Sequence, residues 1–199
     1  MRVDDLEKLL EVGIESQTLD YKVSCAWEVE KFAKDLMAMA NVVDGGIIVI
    51  GVEENGDGTY KRKGILPEHK STYKRDIMKD QMRSFADPHV DFMVDFTKDK
   101  TGLEYVVITV SPFQEIPVLC VKSSRETKIG LYYRNRDGRP QSGIVSNSYD
   151  LRDVLDRAAV KLMQRNKKLG LDTVQEESGL TLHGDPEFLR KLVEERGSL

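Results

Sequence analysis

Glu15, Asp20 and Lys22 fall within one stretch, Glu15-Ser16-Gln17-Thr18-Leu19-Asp20-Tyr21-Lys22, and two further acids, Glu53 and Glu54, follow the apolar run 47–52. Carboxylates are the hard oxygen ligands that magnesium or manganese takes. A lysine beside them can stabilise charge developing on a phosphate, so acids plus Lys22 have the makings of a phosphodiesterase site. An extended strand holds Glu15 and Asp20 apart; a bend after a preceding helix would bring them together. The same residues also read as solvated surface acids, because 34 Asp and Glu in the chain make pairs at any spacing common.

A second chemistry belongs to the bases. Residues 61–83 carry eight Lys and Arg against three acids, and residues 122–139 carry six against two. Arg134, Arg136 and Arg139 lie beside Tyr132 and Tyr133. Guanidinium groups grip phosphates bidentately and tyrosine rings stack on unpaired bases. Lys61, Arg62 and Lys63 form a shorter run that also suits phosphate, and a solvated charged loop would look the same. The glycines at 45–46 and 56–58 match neither phosphate-loop pattern and read as a helix stop and a turn. His69, His89 and His183 lack ligand spacing, and Ser24 and Cys25 have no histidine near them in the chain. Trp27, Met37, Met39, Met78 and Met82 are expected in the core.

The elements that must position these groups follow from periodicity. A helix is expected over 4–11, capped by an aspartate and closed at Gly13, then a strand over 18–23. Val29, Phe32, Ala33, Leu36 and Ala40 share one face of a helix over 28–41. The continuous β-branched run 47–52 predicts a strand buried on both faces. A turn over 53–58, a helix over 72–85, strands over 90–97, 103–110, 118–122 and 130–135, and a helix over 149–164 complete the pattern. The expected fold is α+β: a mixed, largely antiparallel sheet flanked by helices, with a domain over 1–169 and an acidic extension over 170–199.

Bulk properties set limits. A chain of 199 residues, 40% hydrophobic and 32% charged, can build a core without disulfide or metal staples. Two isolated cysteines, Cys25 and Cys120, and no Cys/His cluster argue against a zinc site and for a reducing compartment. The first ten residues are charged and no apolar run is long enough for a membrane span, so a cytoplasmic protein is expected. Net charge is −4. Residues 170–199 hold seven acids and three bases and carry all of it, leaving the body neutral overall and basic in two places.

Taken in order, three segments resemble a known family. Glu15-Ser16…Asp20-Tyr21-Lys22, then Ala38-Met39-Ala40-Asn41, then Gly45-Gly46-Ile47-Ile48-Val49-Ile50-Gly51-Val52-Glu53-Glu54-Asn55-Gly56 look like the Schlafen/AlbA-type domain. Val106 to Ser111, Pro117 and Tyr132-Tyr133-Arg134 continue the likeness, which spans about residues 13–157. The resemblance implies an α/β module that binds DNA or RNA, found in regulators and defence-like proteins. In animal members two lobes form a horseshoe on structured RNA, and some cut it with a carboxylate triad. Carried onto this chain, that triad falls on Glu15, Asp20 and Glu54 with magnesium or manganese, Lys22 assisting, although Asp20 and Glu54 exchange chain length relative to the nuclease pattern. The resemblance therefore supports three readings: a nucleic-acid-binding module, a metal-dependent endoribonuclease on structured RNA such as tRNA, or a non-enzymatic interaction subunit. Because one lobe makes no horseshoe, a homodimer is expected.

Overall fold

The computed structural model describes residues 1–135 and 140–171. By chain contacts it divides into a unit of residues 1–163 and a unit of residues 164–199. The acidic extension therefore lies outside the described residues except for Gly170 and Leu171.

The first unit opens with α1 (Val3–Val12), β1 (Leu19–Lys22), α2 (Val29–Ala40) and β2 (Gly46–Ile50). A hairpin of β3 (Val52–Glu54) and β4 (Tyr60–Arg62) follows, then α3 (Pro67–Lys70) and α4 (Arg75–Arg83). The rest is β5 (Ala86–Asp87), β6 (Phe92–Lys98), β7 (Glu104–Val110), β8 (Leu119–Cys120), β9 (Gly130–Arg134), β10 (Ser142–Ile144) and α5 (Ser148–Lys168). The α+β class expected from the sequence is the observed one.

Two four-stranded sheets run β1-β2-β7-β6 and β10-β9-β8-β5, and β3-β4 forms a ribbon of its own. The one parallel pair among these strands is β1–β2, in the register Asp20↔Ile48 and Lys22↔Ile50. Alternation along β1 sets the layers. Leu19 and Tyr21 join Val49, Val107 and the α1 residues Leu6 and Leu10 in a small core. On the other face of that sheet, Ile48, Ile50, Val106 and Ile108 pack with α2 in the main core. The same cluster holds Cys120, Tyr132 and Tyr133 of the second sheet, with Val118 just before β8, so α2 sits between two sheets. A helix covered on both sides must be apolar nearly all round, and residues 35–40 of α2 are all buried. Asp35 is the acid among them, and it pairs with Lys22 of β1.

Two motif features have structural jobs. Asn41, fully buried, donates through Nδ2 to Val118 O (2.8 Å) and Tyr132 O (2.9 Å) and accepts from Val118 N (2.8 Å). It thus ties the end of α2 to the second sheet. Gly45 has φ +72°, and a Cβ there would lie 2.1 Å from Val110 O. The glycine pair is a close approach of two chain segments, as its reading as a stop requires.

Several boundaries differ from expectation. The run 47–52 breaks at Gly51 (φ +117°) into β2 and β3. The expected turn is the tip of the β3–β4 hairpin, whose second strand alternates too weakly to be seen in sequence. No aspartate caps α1: Arg2 occupies the N-cap, with no side-chain bond to the helix. Helix α4 starts at Arg75 rather than Thr72, because Pro67–Lys70 forms its own turn. The expected strand over 118–122 shortens to two residues. Trp27 and the four core methionines are buried as expected.

Candidate nucleic-acid interface

The stretch from Glu15 to Lys22 is stitched to β9. Because β1 is alternating, Asp20 and Lys22 point away from α1 and toward α2 and the second sheet. Arg134 at the end of β9 reaches back across them. Its Nη2 donates to Asp20 Oδ1 (2.9 Å) and Leu19 O (3.3 Å), and its Nε donates to Ser16 O (3.1 Å). Lys22 Nζ lies 3.0 Å from Asp20 Oδ2 and 2.8 Å from Asp35 Oδ2. Gln17 adds donations to Tyr133 OH (2.9 Å) and Arg134 O (2.8 Å), and Glu15 Oε1 accepts from Tyr21 N (3.2 Å).

Arg134, Asp20, Lys22 and Asp35 therefore alternate in charge along one chain of contacts. Two cations balance two anions, which is how a protein keeps charges out of water without stranding one. Burial alone would lower the Lys22 pKa, but the Asp35 and Asp20 carboxylates outweigh it and hold the ammonium above its ordinary value. Lys22 is a permanent cation here, not a proton donor or base at neutral pH.

This arrangement corrects part of the sequence reading. Arg134 is 1% exposed and Tyr133 3%. Neither can grip a phosphate or stack on a base; the guanidinium is spent on Asp20 and carbonyl oxygens. The Tyr133 hydroxyl bonds to Asp153, Arg157 and Gln17. Arg62 is engaged by Glu7 of α1 at 2.9 Å. Lys61 and Lys63 do reach solvent, with Lys63 in an exposed pair with Glu53 at 3.3 Å. Arg136 and Arg139 lie outside the described residues.

The metal-ligand expectation meets a specific obstacle. Asp20, 7% exposed, already has one oxygen on Arg134 and the other on Lys22. Among the described residues no group of three or more His, Cys, Asp or Glu side chains is placed to hold a metal ion. Glu15, Asp20 and Lys22 line one concavity, whereas Glu54 sits exposed at the end of β3 opposite Tyr60 and is not part of its lining. As arranged, these residues do not fit a magnesium or manganese site, and no catalytic step is derived through one.

What the network does build is a polar concavity of about 330 Å³. Besides Glu15, Asp20, Lys22 and Arg134 it is lined by Lys34, Asp35, Gln141 and Ser142. Pro140, immediately after the 136–139 segment, is also in the lining. The Ser142 hydroxyl is buried with no hydrogen-bond partner among the described residues. Sequence reasoning missed Lys34 and Asp35. Their one available signal was a Lys-Asp pair inside the otherwise apolar run 32–40. It also missed that Ser24 Oγ meets His69 Nδ1 at 2.9 Å, since 45 residues separate them; Ser24 also accepts from Leu66 N, so it ties the segment after β1 to the start of α3.

The family model for the Schlafen AlbA_2 domain matches residues 15–141, more than half of the chain. The chain belongs to the Schlafen AlbA_2 family. Its match begins at Glu15 and ends at Gln141, both of which line the concavity of this Schlafen AlbA_2 domain. Among solved structures, a protein from Corynebacterium diphtheriae aligns with a TM-score of 0.48 and 17% identity over 76% of this chain. The chain spans only 27% of that protein. The N-terminal domain of an ATP-dependent DNA helicase RecG-related protein from Nitrosomonas europaea aligns with a TM-score of 0.49 and 19% identity, covering 74% of this chain and 97% of that domain. No curated protein matches the chain. No helix among the described residues is long and apolar enough to cross a membrane.

Proposed function

We propose that this Schlafen AlbA_2 domain binds nucleic acid, chiefly through the phosphate backbone, along the rim of the polar concavity. The observation that carries the reading is the family match over residues 15–141. Lys34 in the lining supplies one cation, and the sequence adds Arg136 and Arg139 just before Pro140. Lys61 and Lys63 extend the candidate set. An exposed pair such as Lys63–Glu53 is worth little, so Lys63 can exchange its carboxylate for a phosphate. Arg134, Asp20 and Lys22 act beneath this surface by holding β1, α2 and β9 in place.

Fluorescence anisotropy with single- and double-stranded DNA and RNA tests the reading. Lys34→Ala and the double variant Arg136→Ala/Arg139→Ala are expected to weaken binding to all sequences alike, since phosphate contacts carry no base information. Binding that is absent at low salt, or indifferent to both variants, contradicts the proposal.

A further inference from the structure

Helix α5 uses one face against the body. Val154 is fully buried and Ala158 packs on the main core. Arg157 donates to Asn41 O (2.8 Å) and Tyr133 OH (3.1 Å), and Lys161 donates to Phe113 O. The neighbouring stripe has no such cover. Leu151 (41% exposed), Leu155 (54%) and Leu162 (51%) recur at intervals of four and seven residues, with Met163 (69%) beside them. At 3.6 residues per turn these leucines form one seam down the helix, flanking the buried face rather than opposing it. Apolar seams of this spacing bury themselves against another helix.

The charges on α5 select the partner. Asp153, Arg157 and Lys161 are engaged with the body. Beyond them the first half carries Asp150 and Asp156 against Arg152, and the last turn carries Arg165, Lys167 and Lys168 with no acid. Side by side in parallel, two such helices would press their basic ends together. Run antiparallel, each basic end meets the acidic half of the other, and the helix dipoles oppose favourably. The helix is thus complementary to its own reverse, which is what a two-fold isologous contact requires.

We propose that two copies of this chain associate through α5, packed antiparallel along the Leu151, Leu155 and Leu162 seam. Sedimentation equilibrium of the full chain tests this, with Leu155→Glu/Leu162→Glu as the variant. The wild type is expected to run at twice the 22.6 kDa chain mass. The variant is expected to run as a monomer with unchanged circular dichroism, its dissociation constant raised at least ~100-fold. A wild type that stays monomeric overturns the proposal, including the case in which residues 172–199 of the same chain cover the seam. A dimer that survives the double substitution overturns it equally. Cysteine pairing checks direction without relying on that variant. A mixture of Leu151→Cys and Leu162→Cys chains is expected to form disulfide dimers that neither forms alone. Cross-linking within each single variant and not in the mixture overturns the antiparallel arrangement.

Discussion

At the scale of single residues, the buried Arg134 stands apart from the surface lysines proposed to bind phosphate. Arg134 is buried against the Asp20 carboxylate and the carbonyl oxygens of Ser16 and Leu19, so removing it strands an acid beside Lys22. Arg134→Met is expected to cost about 3–5 kcal/mol in urea unfolding, the range for breaking one side of a buried pair. Lys34→Ala should change stability by no more than about 0.5 kcal/mol while weakening nucleic-acid binding. Equal stability losses in the two variants would contradict this division. The engagement of Asp20 yields a second expectation: manganese should leave the melting temperature unchanged, because a ligand raises stability only if the folded state binds it. A rise in melting temperature that Asp20→Asn abolishes would show that the carboxylate leaves Arg134 for metal. In the sequence, Glu15 to Lys22 was legible as a family mark and as a source of carboxylates. That Arg134, 114 residues beyond Asp20, had already taken one of them was not legible, because spacing along a chain does not report ion pairing across it.

At the scale of elements, the strand run 47–52 and its break carry the lesson. Five β-branched residues over 47–52 predicted one strand, and the glycine inside it, Gly51, sits at φ +117°. A Cβ there would lie 2.8 Å from the Gly64 backbone and 2.9 Å from the Tyr105 ring. Gly51→Ala combines strain with a clash against backbone, so it should lose about 1–3 kcal/mol or more, read from the urea midpoint. A neutral result would mean that β2 and β3 are one continuous strand. The β6–β7 hairpin is held by Asp99, which accepts from Thr101 N, Leu103 N and Tyr105 OH. Burial would raise the Asp99 pKa, but these bonds outweigh it and lower it below 3.8. Glu7, which accepts from Lys100 N beside the same hairpin and pairs with Arg62, is also lowered, from 4.5. Both groups bind protons more readily unfolded, so their contribution is complete above the ordinary carboxylate range and disappears as pH falls through the lowered values. Stability should therefore decline on acidification below about pH 4.5, and less steeply in Asp99→Asn. An unchanged acid limb in that variant would assign the decline to other groups. The helices and long strands were readable because their periodicity is sustained. The short pieces β4, β5 and β10 were not, since two or three residues carry no period.

At the scale of the whole molecule, a net charge of −4 argues against a polyanion partner until its distribution is considered. The net negative charge falls in residues 170–199, and residues 1–169 are balanced, with bases gathered in two stretches. The structure spends Arg134 and Arg62 of those stretches internally and leaves Lys61 and Lys63, with Lys34 of α2, toward the surface. The fold class and family were legible because ordered motifs set both. The proposed binding face was only half legible, since burial decides which cations reach the surface. The most direct test of the central claim is the salt dependence of nucleic-acid affinity for the full chain. Between about 50 and 200 mM salt the account predicts a linear fall of log K against log salt, with Lys34→Ala reducing the slope by about 0.7–0.9. A slope near zero, or one that Lys34→Ala leaves intact along with the affinity, would contradict phosphate binding at this rim.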